Sequence, residues 1–188
     1  MTQLDQFLVR AEALLGRLEA LLPDTATEPD WKAGIAFRWR KRSGKDSRGY
    51  LQRVAHIAPI ALSDLHNIDA QKQQIAQNTR QFVQGLPANN VLLTGARGTG
   101  KSSLIKACLN QFAAQGLRLI EVDKDDLADL PDIVDLVAAR PERFIVFCDD
   151  LSFEEGEGGY KALKVALDGG ICAQWGNVLI YATCNRSH

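Results

Sequence analysis

Residues 95–102 read Gly95-Ala96-Arg97-Gly98-Thr99-Gly100-Lys101-Ser102 and fill every fixed position of G-x-x-x-x-G-K-[ST]. Before them, Val91 to Thr94 is a short apolar run that predicts a strand. After them, Ser102 to Gln115 keeps helical spacing and stops at Gly116. A strand, a glycine-rich loop and a helix in that order make a phosphate cradle. The glycines allow backbone angles closed to other residues, which brings N–H groups close to a phosphate. The helix aims its N-terminal partial positive charge at the same oxygens. Lys101 is placed to reach the β- and γ-phosphates of a nucleotide, and the Ser102 hydroxyl to ligate Mg2+. Ser103, next on the helix, is counted with the nucleotide-binding residues. Arg97 occupies a variable loop position whose side chain is expected to face solvent. The competing reading, a glycine turn with no ligand, does not explain eight residues in this context.

Outward from the loop, strands alternate with helices. Leu117 to Val122 predicts a strand, Asp132 to Ala139 a helix, Phe144 to Cys148 a strand, Tyr160 to Leu167 a helix, and Val178 to Thr183 a strand. Strands joined by helices imply right-handed crossovers and a parallel sheet, hence an α/β fold with three αβα layers. The run Phe144-Ile145-Val146-Phe147-Cys148 leads into Asp149-Asp150. That puts two carboxylates at the C-terminal edge of the sheet, where ligands of open α/β sheets bind. Asp149 is the candidate for holding magnesium through water, and Asp150 for orienting or deprotonating an attacking water. Glu154 is the reserve for Asp150, and a pair of turn-capping aspartates is the structural alternative. The last strand ends at Asn185. If it lies between the other two motif strands, Asn185 points at the γ-phosphate.

The composition is consistent with a folded domain. The chain has 188 residues, 46% hydrophobic and 24% charged, with a net charge of -1. These values exclude collagen-like, coiled-coil and disordered chains, and the balanced charge argues against bulk affinity for nucleic acid or anionic lipid. No apolar run is long enough to span a bilayer, and MTQLDQFLVR does not read as a secretory signal. Cys108, Cys148, Cys172 and Cys184 show no metal spacing and read as reduced packing residues of a cytoplasmic protein. Leu4 to Leu22 predicts an amphipathic helix, and Ala36 to Arg42 a short strand followed by a polar loop to Gly49. Asp69 to Gln84 predicts a helix with Ile75, Thr79, Phe82 and Val83 on one side. The basic stretch Phe37-Arg38-Trp39-Arg40-Lys41-Arg42 contrasts with acidic Glu121 to Asp132. Aromatics among arginines can stack on bases, but a solvated basic strand, or one that pairs with the acidic segments or with a neighbouring subunit, is preferred because the chain as a whole is not basic.

The three motifs in this order resemble the core of an AAA+ ATPase: Walker A at Gly95 to Ser102, Walker B at Phe144 to Asp150, and sensor 1 at Asn185. The runs NNVLLTGARGTGKSSLIKA, RLIEVDKDDLADLPDIVD and FCDDLSFEEGEGGYKALK look like a bacterial AAA+ family of uncharacterised function, whose Walker B strand also ends in Asp-Asp. Leu65 to Gln71 resembles the segment that lies against adenine, with Ile68 as the contact. The resemblance implies residues 61–188 as an ATPase core behind an N-terminal helical and basic extension, 1–60. It also implies ATP and Mg2+ as cofactors, Lys101, Asp150 and Asn185 as catalytic residues, and a homo-oligomer for the full-length protein. An AAA+ module continues past sensor 1 to an arginine finger and a helical lid, so the resemblance implies that this chain stops short. Arg186 is expected to be a surface arginine. The alternatives are a non-hydrolysing nucleotide-binding module and a P-loop kinase for a small molecule. The absence of an Asn-Lys-x-Asp signature argues against a GTPase.

Overall fold

A computed structural model of the chain describes residues 7, 10–14, 29–41, 49–151, 164 and 176–185. Its elements are β1 (Ala36–Lys41), β2 (Gly49–Arg53), α1 (Asp69–Val83), β3 (Val91–Gly95), α2 (Lys101–Phe112), β4 (Leu117–Glu121), α3 (Leu130–Val137), β5 (Arg143–Leu151) and β6 (Val178–Asn185). The strands form one six-stranded sheet in the order β2-β1-β4-β5-β6-β3. All neighbouring pairs are parallel except β1 with β2. β6 lies between the strand carrying the phosphate loop and the strand carrying the aspartates, as the sequence requires if Asn185 is to meet both.

The central strands are apolar throughout because both faces of the sheet are covered. On β5, Phe144, Val146 and Cys148 face α3, where Ile133, Val134 and Val137 close one core. Ile145 and Phe147 face the other way, toward Ile75 and Phe82 of α1 and Ile105, Leu109 and Phe112 of α2. The result is the expected αβα sandwich. One buried polar cluster ties α1 to the sheet. The hydroxyls of Thr79 and Tyr181 are 2.9 Å apart, and Asn78 Nδ2 donates to the same Tyr181 oxygen at 2.9 Å. α3 begins two residues before the predicted start, because Pro131 is tolerated in a first turn, where its missing N–H is not needed. β5 extends past Asp149 and Asp150 to Leu151, and β6 extends to Asn185, its last residue.

β1 and β2 precede residue 60, in the part the sequence assigns to an extension, yet they hydrogen-bond into the same sheet: β1 pairs with β4 from Ala36↔Leu119 to Arg38↔Glu121. Phe37 and Trp39 are buried, while Arg38, Arg40 and Lys41 point outward. The outward cations meet the acidic segment: Arg38 pairs with Glu121 at 2.5 Å, and Lys41 sits 3.0 Å from both Asp126 and Asp129. The Trp39 indole N–H donates to Asp129 at 2.8 Å. Both aromatic rings are therefore in the core and unavailable for stacking on bases. Gly49, read as the end of a loop, opens β2. A Cβ there would lie 1.8 Å from the Trp39 ring, so the strand can approach only with a glycine.

In the N-terminal segment, residues 7 and 10–14 are helical, with Phe7 and Leu14 exposed. The rest of the predicted helix over 4–22, residues 42–48, most of the predicted helix over 160–167, and Glu154, Cys172 and Arg186 lie outside the described residues. Among the described residues, no helix is long and apolar enough to cross a membrane, and no cluster of His, Cys, Asp or Glu could hold a metal by itself. Cys108, Cys148 and Cys184 are free and buried.

Candidate phosphate-loop site

The loop between β3 and α2 has the backbone its glycines permit. Gly98 and Gly100 sit at φ 80° and 82°, in the left-handed region, and a Cβ at either would meet nothing within 4 Å. Glycine is needed there for the backbone angle and not for space. The side of the loop away from the protein is therefore open backbone facing a cleft of about 310 Å3 at the C-terminal edge of the sheet.

The register of β3 on β6 sets Gly95 opposite Asn185. Lys101, at the first turn of α2, folds back over the loop. Its ammonium donates to the carbonyls of Gly95 (2.9 Å) and Ala96 (2.8 Å) and to Asn185 Oδ1 (2.9 Å). The amide nitrogen of Asn185 in turn donates to Asp150 Oδ1. On the neighbouring side, the Ser102 hydroxyl donates to Asp149 Oδ1 at 2.7 Å, and Thr183 donates to the same oxygen at 2.5 Å. The N–H of Asp150 donates to Thr183 Oγ1 at 2.9 Å. These bonds chain Lys101, Asn185, Asp150, Thr183, Asp149 and Ser102 around one cleft.

The two aspartates share that cleft because β5 carries a bulge. Cys148 pairs with Ala182 and Leu151 with Cys184, so Asp149 and Asp150 together oppose the single residue Thr183. Asp150 adopts φ 57°, an unusual angle for a residue with a side chain, though aspartate tolerates it better than most. A regular strand would turn successive side chains to opposite faces. Here Leu151, not Asp150, is buried on the face of Cys148.

Of the residues singled out from sequence, Arg97, Gly98, Thr99, Gly100, Lys101, Ser102, Ser103, Asp149, Asp150 and Asn185 line the cleft. Gly95 and Ala96 turn carbonyls to Lys101. Ile68 is not in the lining; it is half-buried against the core around α1 and α2. Thr183 was missed, and its signal was a hydroxyl inside an otherwise apolar strand, two residues before Asn185. The donors fit a hard cation: a hydroxyl and a carboxylate oxygen 2.7 Å apart are the oxygen ligands magnesium takes alongside phosphates and water. A second cleft, about 440 Å3, shares Asp149 and Asp150 and has Arg38, Arg40, Lys106 and Lys124 together with Glu121 and Asp123 in its walls.

Comparison with known proteins agrees with this geometry at the level of the fold. No curated protein sequence matches the chain. Among solved structures, the replication initiator DnaA bound to AMPPCP and single-stranded DNA is similar over 69% of this chain and 42% of its own, with 16% identity and a TM-score of 0.50. The Holliday junction branch migration motor RuvB of Thermotoga maritima follows at 14% identity, 69% and 42% coverage and a TM-score of 0.45. DnaI is 21% identical over 68% of this chain and 70% of its own, with a TM-score of 0.44. The chain thus spans less than half the length of the DnaA and RuvB chains it matches. Such neighbours are AAA+ P-loop ATPases, and the mostly parallel sheet with its helices matches their fold. Residues 32–188 match the family described as "Protein of unknown function (DUF815)", and the chain belongs to that family, with an AAA+ P-loop fold.

Proposed function

We propose that the chain binds ATP with Mg2+ in the phosphate-loop cleft and hydrolyses it to drive a conformational change in an oligomer or a partner. The observation that carries this reading is the continuous chain of hydrogen bonds joining Lys101, Asn185, Asp150, Asp149 and Ser102 around one cleft. DnaA, similar in fold, was solved with AMPPCP. The core is assigned to residues 61–188, with β1 and β2 as an extension of its sheet, and the protein to the cytoplasm.

In this reading Lys101 leaves the Gly95 and Ala96 carbonyls for the β- and γ-phosphate oxygens, while the loop's N–H groups and the start of α2 hold the rest of the polyphosphate. Ser102, and Asp149 through water, would hold Mg2+, which would supply charge neutralisation for the polyphosphate. Asp150 orients the attacking water and accepts its proton. Asn185 releases Asp150 and turns its amide toward the γ-phosphate and that water. Catalysis is then positioning together with electrostatic stabilisation.

Steady-state ATP hydrolysis by the purified chain beside Asp150→Asn tests the reading. Removing a positioned base is expected to lower turnover by roughly 10²–10⁴-fold with ATP binding kept. A folded chain that binds ATP and turns over no faster than the variant contradicts hydrolysis and leaves a nucleotide-binding module. One rival is phosphoryl transfer to a small molecule, for which the second cleft beside Asp150, walled by cations and carboxylates in equal number, offers space. ATP consumption without any added acceptor supports hydrolysis; consumption only when an acceptor is supplied supports transfer.

A further inference from the structure

We infer that Thr183 is a positioning residue that pins the β5 bulge and so delivers both aspartates to one cleft. The inference rests on the proposed reading of that cleft as the Mg-nucleotide site. Strand alternation alone would put Asp149 and Asp150 on opposite faces of the sheet. Bulges at active sites re-aim side chains in this way. This one places two residues opposite one, with Asp150 held at φ 57°.

Such a backbone angle persists only where its surroundings enforce it. The Thr183 hydroxyl does so from both sides: it accepts the N–H of Asp150 and donates its proton to Asp149 Oδ1. Thr183 is 1% exposed, so its hydroxyl is held between the two aspartates by the surrounding structure. Its donation also occupies one lone pair of the oxygen that Ser102 contacts, which fixes the direction the carboxylate presents to a metal. The hydroxyl does not contact the cleft's ligand directly in this scheme; it acts through the aspartates. Neither Ser102 nor Asn185 can substitute for it, since neither is bonded to the Asp150 backbone.

The test compares the full chain with Thr183→Val, which keeps the shape and loses the hydroxyl, Thr183→Ala, which loses it with less bulk, and Thr183→Ser, which keeps it. Three quantities are read: hydrogen exchange at the Asp150 amide by NMR without nucleotide, ATP affinity with and without Mg2+, and kcat against KM. The expected result in the hydroxyl-free variants is faster exchange at Asp150 and a roughly 10–100-fold loss of the Mg-dependent part of the affinity. Mg-free ATP affinity stays within about threefold, kcat falls more than KM rises, and serine restores all three. Exchange at Asp150 and Mg-dependent affinity unchanged by valine overturn the inference. So does serine as impaired as valine, which would make the role one of packing, or loss of folding in both hydroxyl-free variants. If the wild type binds ATP in a Mg-dependent way but never hydrolyses it, the hydrolysis reading fails while exchange and Mg dependence still decide on Thr183. A wild type with no Mg-dependent gain overturns the inference itself.

Discussion

The sheet carries opposite charges at two places and handles them differently. At the β1–β4 edge, cations and anions meet directly: Arg38 with Glu121, and Lys41 with Asp126 and Asp129. The carboxylates there draw the Lys41 ammonium's pKa upward, Asp129 first and Asp126 second, and hold it charged. In the phosphate-loop cleft, Lys101 is no farther from Asp150 than one amide side chain, yet among the described residues it makes no ion pair. Its three acceptors are neutral oxygens, and the aspartates are met by two hydroxyls and the Asn185 amide. Directly paired charges have answered each other and add little at a surface. Charges held apart by neutral groups keep their fields for something that carries both signs, such as a magnesium–polyphosphate complex. The first arrangement fastens a strand, and the second leaves a site open to a ligand.

The comparison predicts unequal costs. The largest effect should come from Lys101→Ala, which removes the one ammonium reserved for phosphate. Turnover should fall at least about 100-fold, by analogy with loss of a transition-state donor, while the thermal midpoint barely moves. Unfolding of that variant would show that Lys101 is structural after all. Next is Trp39→Ala at the fastened edge. It empties a buried aromatic site and removes one of two partners of Asp129, Lys41 remaining, and should cost about 3–5 kcal/mol in a denaturant titration, with ATP affinity per folded molecule unchanged. Gly49→Ala should act in the same direction, through the clash with that ring.

A pH series separates the sealed core from both. Burial pushes the Cys148 thiol up to about 12 and the Cys108 thiol up to about 11, from the ordinary 9.0. Unfolding frees thiols that ionise from about pH 9, so above that pH the folded state binds more protons than the unfolded one. Stability is then full below pH 9 and falls as pH rises toward 11, by at most about 1.4 kcal/mol per thiol for each pH step of one. Urea midpoints at pH 8 and pH 10.5 measure it, and Cys148→Ala should flatten part of the slope. The smallest effect belongs to Arg38→Gln. Its side chain is 45% exposed, so the loss should stay below about 1 kcal/mol and vanish in high salt. A loss of several kcal/mol would mean that the edge is held by charge and not by Trp39 and Phe37.

Much of this was readable in the chain because each motif is short and local. A strand, a glycine loop and a helix are specified by contiguous residues, and Asp149 and Asn185 follow apolar runs that mark their strands. The order β5-β6-β3 entered the sequence reading only as the condition for Asn185's role, and the sheet meets that condition. The β1–β2 edge was less legible. Its pattern of buried Phe37 and Trp39 between outward cations is a half-buried strand, but its partners are more than eighty residues away in the acidic segment, and β2 is five residues opened by a glycine. The bulge was not legible at all. Nothing in Asp149-Asp150 announces that two residues will oppose one, and the hydroxyl that pins them sits on another strand. Ile68, assigned to adenine by likeness to other proteins, is half-buried against the core and stays a proposal as an adenine contact.

The central claim is that the cleft's charges are kept unpaired for a nucleotide. Its most direct test is calorimetric titration of the full chain and of Lys101→Ala with ATP and Mg2+, both shown to be folded by circular dichroism. The account predicts saturable one-to-one binding by the wild type that the variant loses by about tenfold or more. Equal affinity in the two proteins, or no binding by a folded wild type, would contradict it.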